Sequence, residues 1–293
     1  MKKIISVIAL ILCVCLCFTG CESVTALLSG SNASIKYEIL NGEAIVKSVP
    51  NKSTVTKIVI PDEYEGVPVT KIADYAATNL EYVTEFTIGK NVKEIDKWAL
   101  ENNQHITAYE VDDANENLCD VDGVIYTKDM KTLLFYPLAK DLTPAKDEKG
   151  NPKKDDYGNA IYESKYTIPD GVETIRTKAF YKCGYLTFVQ IPDSVKRIEE
   201  KAFFRCNIAD LVLPESLEFI GKDAFAYCYG LTELNIPSTV KQIDEYAFYN
   251  CTNLLTVNVD NTENNITLGN KWYPTNQGQD IENFKIIWKE TNA

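Results

Sequence analysis

Between residues 166 and 260 the chain states one phrase four times, and no other feature restricts its fold as much. Pro169, Pro192, Pro214 and Pro237 recur at intervals of 23, 22 and 23 residues. Ile175, Ile198, Ile220 and Ile243 keep that spacing, as do the pairs Ala179-Phe180, Ala202-Phe203, Ala224-Phe225 and Ala247-Phe248 and the cysteines Cys183, Cys206, Cys228 and Cys251. A unit this short cannot bury its apolar face alone, so successive units must stack into a continuous core, which is a solenoid. Because such a stack exposes an extended surface, the pattern favours binding over catalysis.

Each unit reads as one coil of three limbs. In the segment 186–192, Val189 and Ile191 alternate to one side of a half-buried strand, which stops at Pro192 because proline lacks the N–H that would continue a ladder. Val195 and Ile198 bracket a second short strand or extended limb, and the segment 201–206 is expected to form a single helical turn. Burying each phenylalanine of the Ala-Phe pairs should contribute about 1.5–3 kcal/mol, while the alanine beside it lets the limbs approach. The residue absent from the shortened interval falls just before Ile208, in the turn between the cysteine and the next strand.

The same grammar occurs earlier in weaker form. Val69 and Ile72 lead to Ala76-Ala77, and 23 residues later Val92 and Ile95 lead to Ala99-Leu100. Six coils are therefore visible, with strands expected at 58–60 and 86–88. The period lapses between residues 100 and 172, although 106–111 still reads as a coil strand. The stretches 123–126 and 133–136 read as a hairpin built into the stack.

The phrase Ile-Pro-x-x-Val-x-x-Ile-x-x-x-Ala-Phe-x-x-Cys-x-x-Leu, present at 168–186, 191–208 (one residue short), 213–231 and 236–254, resembles that of the BspA-type leucine-rich repeats of bacterial surface proteins. Segments 122–129 and 133–137 are similar to an interruption common in such proteins, and 66–72 to their usual first coil. The resemblance covers residues 35–260. It implies a β-rich solenoid, a right-handed coil of short parallel strands with short helical or extended return limbs, interrupted by a β-hairpin insertion at about 112–165. It also implies surface exposure, adhesion or protein binding, and no catalytic residues.

At the N-terminus, Lys2-Lys3, an apolar run over 4–18 broken only by Ser6, and Thr19-Gly20-Cys21 have the charged start, short apolar middle and small-residue end of an export signal. Its ending resembles a bacterial lipobox, which implies cleavage after residue 20 and lipidation of Cys21 as a membrane anchor; ordinary secretion and a retained anchor are the alternatives. Residues 21–34, mostly small and polar, read as a flexible tether. The net charge of −12 would become −14 on loss of Lys2 and Lys3, since 28 basic residues then face 42 acidic ones. So acidic a chain is a poor partner for nucleic acid. It should meet a membrane through its lipid rather than its surface.

Catalytic and metal motifs are thin. The single His105 precedes a strand as a solvated turn residue, and no cofactor motif is found. Asp112, Asp113, Asp120 and Asp122 cluster hard oxygens but lack the spacing of a calcium loop, so turn and surface roles are expected. The repeat cysteines read as small apolar residues in a core ladder, with disulfide pairing between coils as the alternative.

Function is then expected on the outside. The outward strand positions are Phe188, Gln190, Asp210, Val212, Glu233, Asn235, Thr256 and Asn258, the candidate ligand contacts. Tyr181, Tyr185, Tyr227 and Tyr229 gather near the cysteine turns, where tyrosine can serve either contact or cover. Residues 139–164 read as a polar protruding loop with a hairpin around 153–158. Residues 261–293 read as a C-terminal cap in which Trp272 and Trp288 shield the open end of the core. A lipid-anchored module binding protein or glycan is the leading class. A structural spacer of the cell envelope and a carbohydrate-active enzyme are the others.

Overall fold

The computed structural model describes residues 35–289. The export segment, Cys21 and the tether lie outside the described residues. The chain forms a β-solenoid of about ten turns. Among the described residues the one helical element is a single 3₁₀ turn, Glu263–Asn265.

First-limb strands stack in parallel register. Lys57–Ile60, Glu85–Ile88 and Ala108–Val111 form one ladder, Tyr162–Thr167 and Leu186–Gln190 a second, and Glu233–Ile236, Thr256–Val259 and Lys285–Trp288 a third. Alternate residues are buried, as the period-2 pattern demands. Second limbs form their own ladder of two-residue strands, Thr174–Ile175, Arg197–Ile198, Phe219–Ile220, Gln242–Ile243 and Thr267–Leu268. Pro192 and Pro214 end the first limb at each coil, and their carbonyls accept the N–H of Val195 and Leu217 to close the turn.

The third limb is not the expected helical turn. Two left-handed residues four apart recur in each coil: Lys178, Lys182, Lys201, Arg205, Asp223, Tyr227, Tyr246 and Asn250 all have φ between 53° and 63°. These left-handed residues aim every second N–H along the stack, so Lys201, Phe203 and Arg205 donate to the carbonyls of Lys222, Ala224 and Ala226 in the next coil. The intervening N–H groups of Ala202, Phe204 and Cys206 close local turns on Glu199, Lys201 and Phe203. A helix would spend its donors within the coil and leave the neighbouring limb's buried carbonyls unpaired, so the stack selects a limb whose N–H groups point alternately along the stack and into local turns.

Behind this limb the Ala-Phe phenylalanines stack nearly parallel. Phe180, Phe203, Phe225 and Phe248 are separated by 4.8, 5.1 and 5.3 Å at 11°, 6° and 2°. Trp272 meets Phe248 edge-on at 6.4 Å, and Trp288 meets Trp272 in the same way. The cysteines are buried in the ladder and also act as donors. The thiols of Cys206, Cys228 and Cys251 donate to the carbonyls of Phe180, Phe203 and Phe225 at 3.0, 3.2 and 3.1 Å. In the N-terminal coils Asn103 stands at the cysteine position, and its amide donates to the equivalent carbonyl, Ala77, at 2.8 Å. Its Oδ1 also accepts the Leu80 N–H at 3.0 Å, a task a thiol would perform poorly.

The lapse in period is a join between two cores. One is built from residues before the hairpin, the other from residues after it, and the antiparallel strands Val124–Thr127 and Thr132–Phe135 supply both: Ile125 and Leu134 to the first, Val124, Tyr126 and Leu133 to the second. Thr132–Phe135 then pairs in parallel with Thr174–Ile175 and restarts the second-limb ladder. Across the join Lys178 is buried against the Trp98 ring and pairs with Glu101 at 3.2 Å. Loss of solvent is the main cause that lowers its pKa to about 8.

The segment 139–164 carries the expected hairpin around 153–158, bridged antiparallel between Lys154 and Ala160, and a second tight hairpin before it, bridged between Lys146 and Pro152. Asp147 Oδ1 accepts the N–H groups of Lys149 and Asn151, and eight residues later Asp155 Oδ1 does the same for Tyr157 and Asn159. Gly150 and Gly158 supply the left-handed φ of 84° and 85° that each turn requires.

Candidate functional site

The eight outward strand positions lie side by side on the first-limb face and divide into two chemistries. Glu233, Asn235, Thr256 and Asn258 form a polar half. The Asn258 amide donates to Glu233 at 3.1 Å and to Asn235 at 2.8 Å, and Thr256 lies in register with Glu233. Phe188, Gln190, Asp210 and Val212 form the other half, where the side chains are exposed and have no such mutual bonding. Phe188 is 38% and Val212 79% exposed.

The two halves part where the coil lost a residue. In the shortened coil, residues 209–213 form no strand: Phe188 and Asp210 share a single bridge, and no ladder joins this segment to Glu233–Ile236. Ile208, Leu211 and Leu213 nevertheless stay buried, so the core register survives while the sheet does not. The length change is thus absorbed by first-limb pairing as well as by the turn. Gly230 accommodates the pulled-in turn, because a Cβ there would lie 2.5 Å from the Ile208 carbonyl oxygen. Beside the break runs an open groove of about 680 Å³ lined by Phe188, Gln190, Val212, Pro169, Pro192 and the exposed Asp170 and Asp193. At the matching positions the N-terminal strands carry Lys57, Val59, Glu85, Thr87, Ala108 and Glu110, so polar residues prevail and no aromatic ring is present. There Lys57 pairs with Glu85 at 3.1 Å, and Thr87 donates to Glu110 at 2.9 Å.

A second surface runs along the outside of the third limb. Tyr181 stacks on Phe204 at 5.1 Å and 14°, and Tyr227 follows, turned 63° against Phe204 and 70° against Tyr249. Tyr185 and Tyr229 are exposed turn residues; Tyr229 meets the row edge-on at Tyr227, 6.3 Å away, and of the four tyrosines singled out in the sequence only Tyr185 stands apart. Phe204, Tyr246 and Tyr249 also belong here and escape a reading centred on the cysteine turn. The signal for Phe204 and Tyr249 is the residue directly after each Ala-Phe pair: Tyr181, Phe204, Ala226, Tyr249.

The remaining polar candidates have local partners. Asp120 accepts the Val111 N–H at 2.8 Å, Asp112 accepts the Ala114 N–H at 2.9 Å, and Asp122 pairs with Lys140 at 2.8 Å. His105 is exposed in its turn. Among the described residues no group of three or more histidine, cysteine or acidic side chains is placed to hold a metal.

This geometry, short parallel ladders around a ring-stacked core, defines a leucine-rich-repeat solenoid. The family model described as the BspA type leucine rich repeat region matches six copies over residues 43–120 and 157–273, and the chain belongs to that family. A leucine-rich repeat protein from Eubacterium ventriosum is similar in structure, with TM-score 0.54 and 24% identity over 70% of this chain. The chain spans 49% of that relative's length. The pneumococcal vaccine antigen PcpA aligns over 89% of this chain and 88% of its own, with TM-score 0.47 and 16% identity. A leucine rich cell surface protein from Faecalibacterium prausnitzii aligns over 88% of this chain and 76% of its own, with TM-score 0.44 and 19% identity. No curated protein sequence matches.

Proposed function

We propose that this chain is a lipid-anchored surface recognition module that binds a protein partner on its first-limb face, at the groove between Phe188 and Val212. The observation that carries this reading is the placement of two exposed apolar side chains, in adjacent coils, at the one break in the C-terminal first-limb sheet. A purely solvated face has no need of them, and a phenylalanine flanked by polar neighbours is a common interface anchor. Asp170 and Asp193 on the rim, together with a net charge of −12, favour a partner surface that is basic around an apolar centre. The role is recognition, without catalysis.

Membrane attachment rests on residues 2–21. Lipidation of Cys21 gives the anchor, and residues 21–34 tether the solenoid clear of the bilayer. Labelling cells with a fatty-acid analogue tests this: the chain should carry the label and sediment with membranes, and Cys21→Ser should abolish both. Labelling that persists in Cys21→Ser would disprove the assignment. The binding role is tested by capture from surface-exposed protein fractions, with Phe188→Ala and Gln190→Ala expected to weaken a specific capture at unchanged stability. Equal capture by both variants would remove the groove from the account.

A further inference from the structure

Along the outer face of the third limb the ring column skips one coil. Where Tyr181, Phe204 and Tyr249 each place an aromatic ring, the matching residue is Ala226. Into the gap turns Tyr227, roughly perpendicular to both Phe204 and Tyr249, and Tyr246 stands at 82° to Tyr249. Parallel stacking is available at this coil spacing, since Phe203, Phe225 and Phe248 achieve it one residue away. The turned rings instead wall a groove of about 340 Å³, closed by Asp223, Lys271 and the backbone of Gly278. That volume lies within the range of about 300–1,000 Å³ typical of small-ligand sites.

Three features specify the ligand. Ring walls offer flat apolar surface on the scale of one sugar face, which carries a row of C–H groups. Among the described residues the hydroxyls of Tyr227, Tyr246 and Tyr249 have no hydrogen-bonding partner, so each can donate to and accept from a polyhydroxylated molecule. Of the two charged groups in the groove wall, Asp223 is paired with Lys201 at 3.1 Å, and the Lys271 ammonium is held by the Gly278 carbonyl at 2.7 Å. Cations also occupy ring faces from within the chain, with Arg205 over Tyr227 at 5.1 Å and Lys222 over Tyr246 at 5.8 Å. A lysine in the wall and cations already over two of the rings disfavour an ammonium ligand, while the Tyr249 ring, which no cation covers, is left for stacking. We infer that the groove walled by Tyr227, Tyr246 and Tyr249 is a binding site for an uncharged pyranose saccharide, held by stacking on the Tyr249 ring and by the three tyrosine hydroxyls, on a face separate from the Phe188 groove.

Saturation-transfer NMR on the full chain, using maltose, cellobiose and lactose as probes, tests this. At least one disaccharide should receive saturation at its ring C–H protons. Tyr246→Phe combined with Tyr249→Phe keeps the rings and removes two hydroxyls, and should weaken binding about tenfold or more. Tyr249→Ala, which removes the ring that no cation covers, should abolish binding. Phe188→Ala should leave it unchanged, so failure here and failure of the first-limb groove are read separately. No transfer to any of the three sugars, transfer that survives the double phenylalanine variant, or displacement of the sugar by choline would each overturn the inference.

Discussion

Two columns run along the C-terminal coils one residue apart in sequence, and they obey different rules. The inner column, Phe180, Phe203, Phe225 and Phe248, is fully buried and keeps its rings within 11° of parallel at every step. The outer column begins with Tyr181 stacked on Phe204, loses its ring at Ala226, and turns through 63° and 70° around Tyr227. Inner rings are enclosed by limbs on every side, where dense packing leaves one solution. Outer rings have solvent on one side, so a missing ring costs little and the freed geometry becomes a groove. The first-limb face repeats the lesson: in the shortened coil Leu211 and Leu213 hold their places while Val212 between them loses its sheet.

The sharpest way to break this comparison is to truncate the inner column. Phe203→Ala and Phe225→Ala should each cost about 3–5 kcal/mol in urea unfolding, because a neighbouring coil cannot collapse into the space. Unchanged midpoints would place those rings outside the core. Next in size is Gly230→Ala, whose methyl group would meet backbone carbonyls of Asn207 and Ile208 rather than a flexible side chain. It should cost about 1–3 kcal/mol, and restoring one residue before Ile208 should relieve part of that loss.

Cys228→Ala removes the donor to Phe203 and should cost about 1–2 kcal/mol. The thiols also carry a pH signature. Burial raises the pKa of Cys206 and Cys228 well above 9.0 and that of Cys251 to about 12. Since the folded chain retains protons that the unfolded chain releases from about pH 9, their contribution is complete below that pH. It declines as pH rises toward 12. A stability profile of Cys228→Ala should fall less steeply over this window than that of the parent chain. The smallest effects belong outside, where Phe188→Ala and Gln190→Ala should move the midpoint by no more than about 0.5 kcal/mol.

Much of this fold was legible because repetition converts local spacing into register. Pro192, Ile198, Ala202, Phe203 and Cys206 can be assigned to limbs without coordinates, since each recurs with its neighbours in step. The third limb was misjudged as a helical turn because a short polar-flanked Ala-Phe segment has good helix propensity. Its demand for left-handed residues at Lys201 and Arg205 comes from the carbonyls of the next coil, a constraint that no single unit displays. Asn103 in the cysteine ladder was hidden for a related reason: amide and thiol look unlike in sequence yet satisfy the same carbonyl. On the surface, the outward strand positions followed from alternation, but their division into a bonded polar half and an apolar groove depends on the lost pairing at 209–213. The groove beside Tyr227 was signalled only by an absence, Ala226 in a column of rings.

The central claim is that the core fixes the coil while recognition occupies the faces it leaves free. The most direct test is quantitative capture of surface-exposed proteins by the double variant Phe188→Ala/Val212→Ser, with its urea midpoint measured on the same sample. The account predicts a specific capture lost at a midpoint within about 0.5 kcal/mol of the parent chain. Undiminished capture, or a loss explained by a midpoint that falls as far as that of Phe225→Ala, would contradict it.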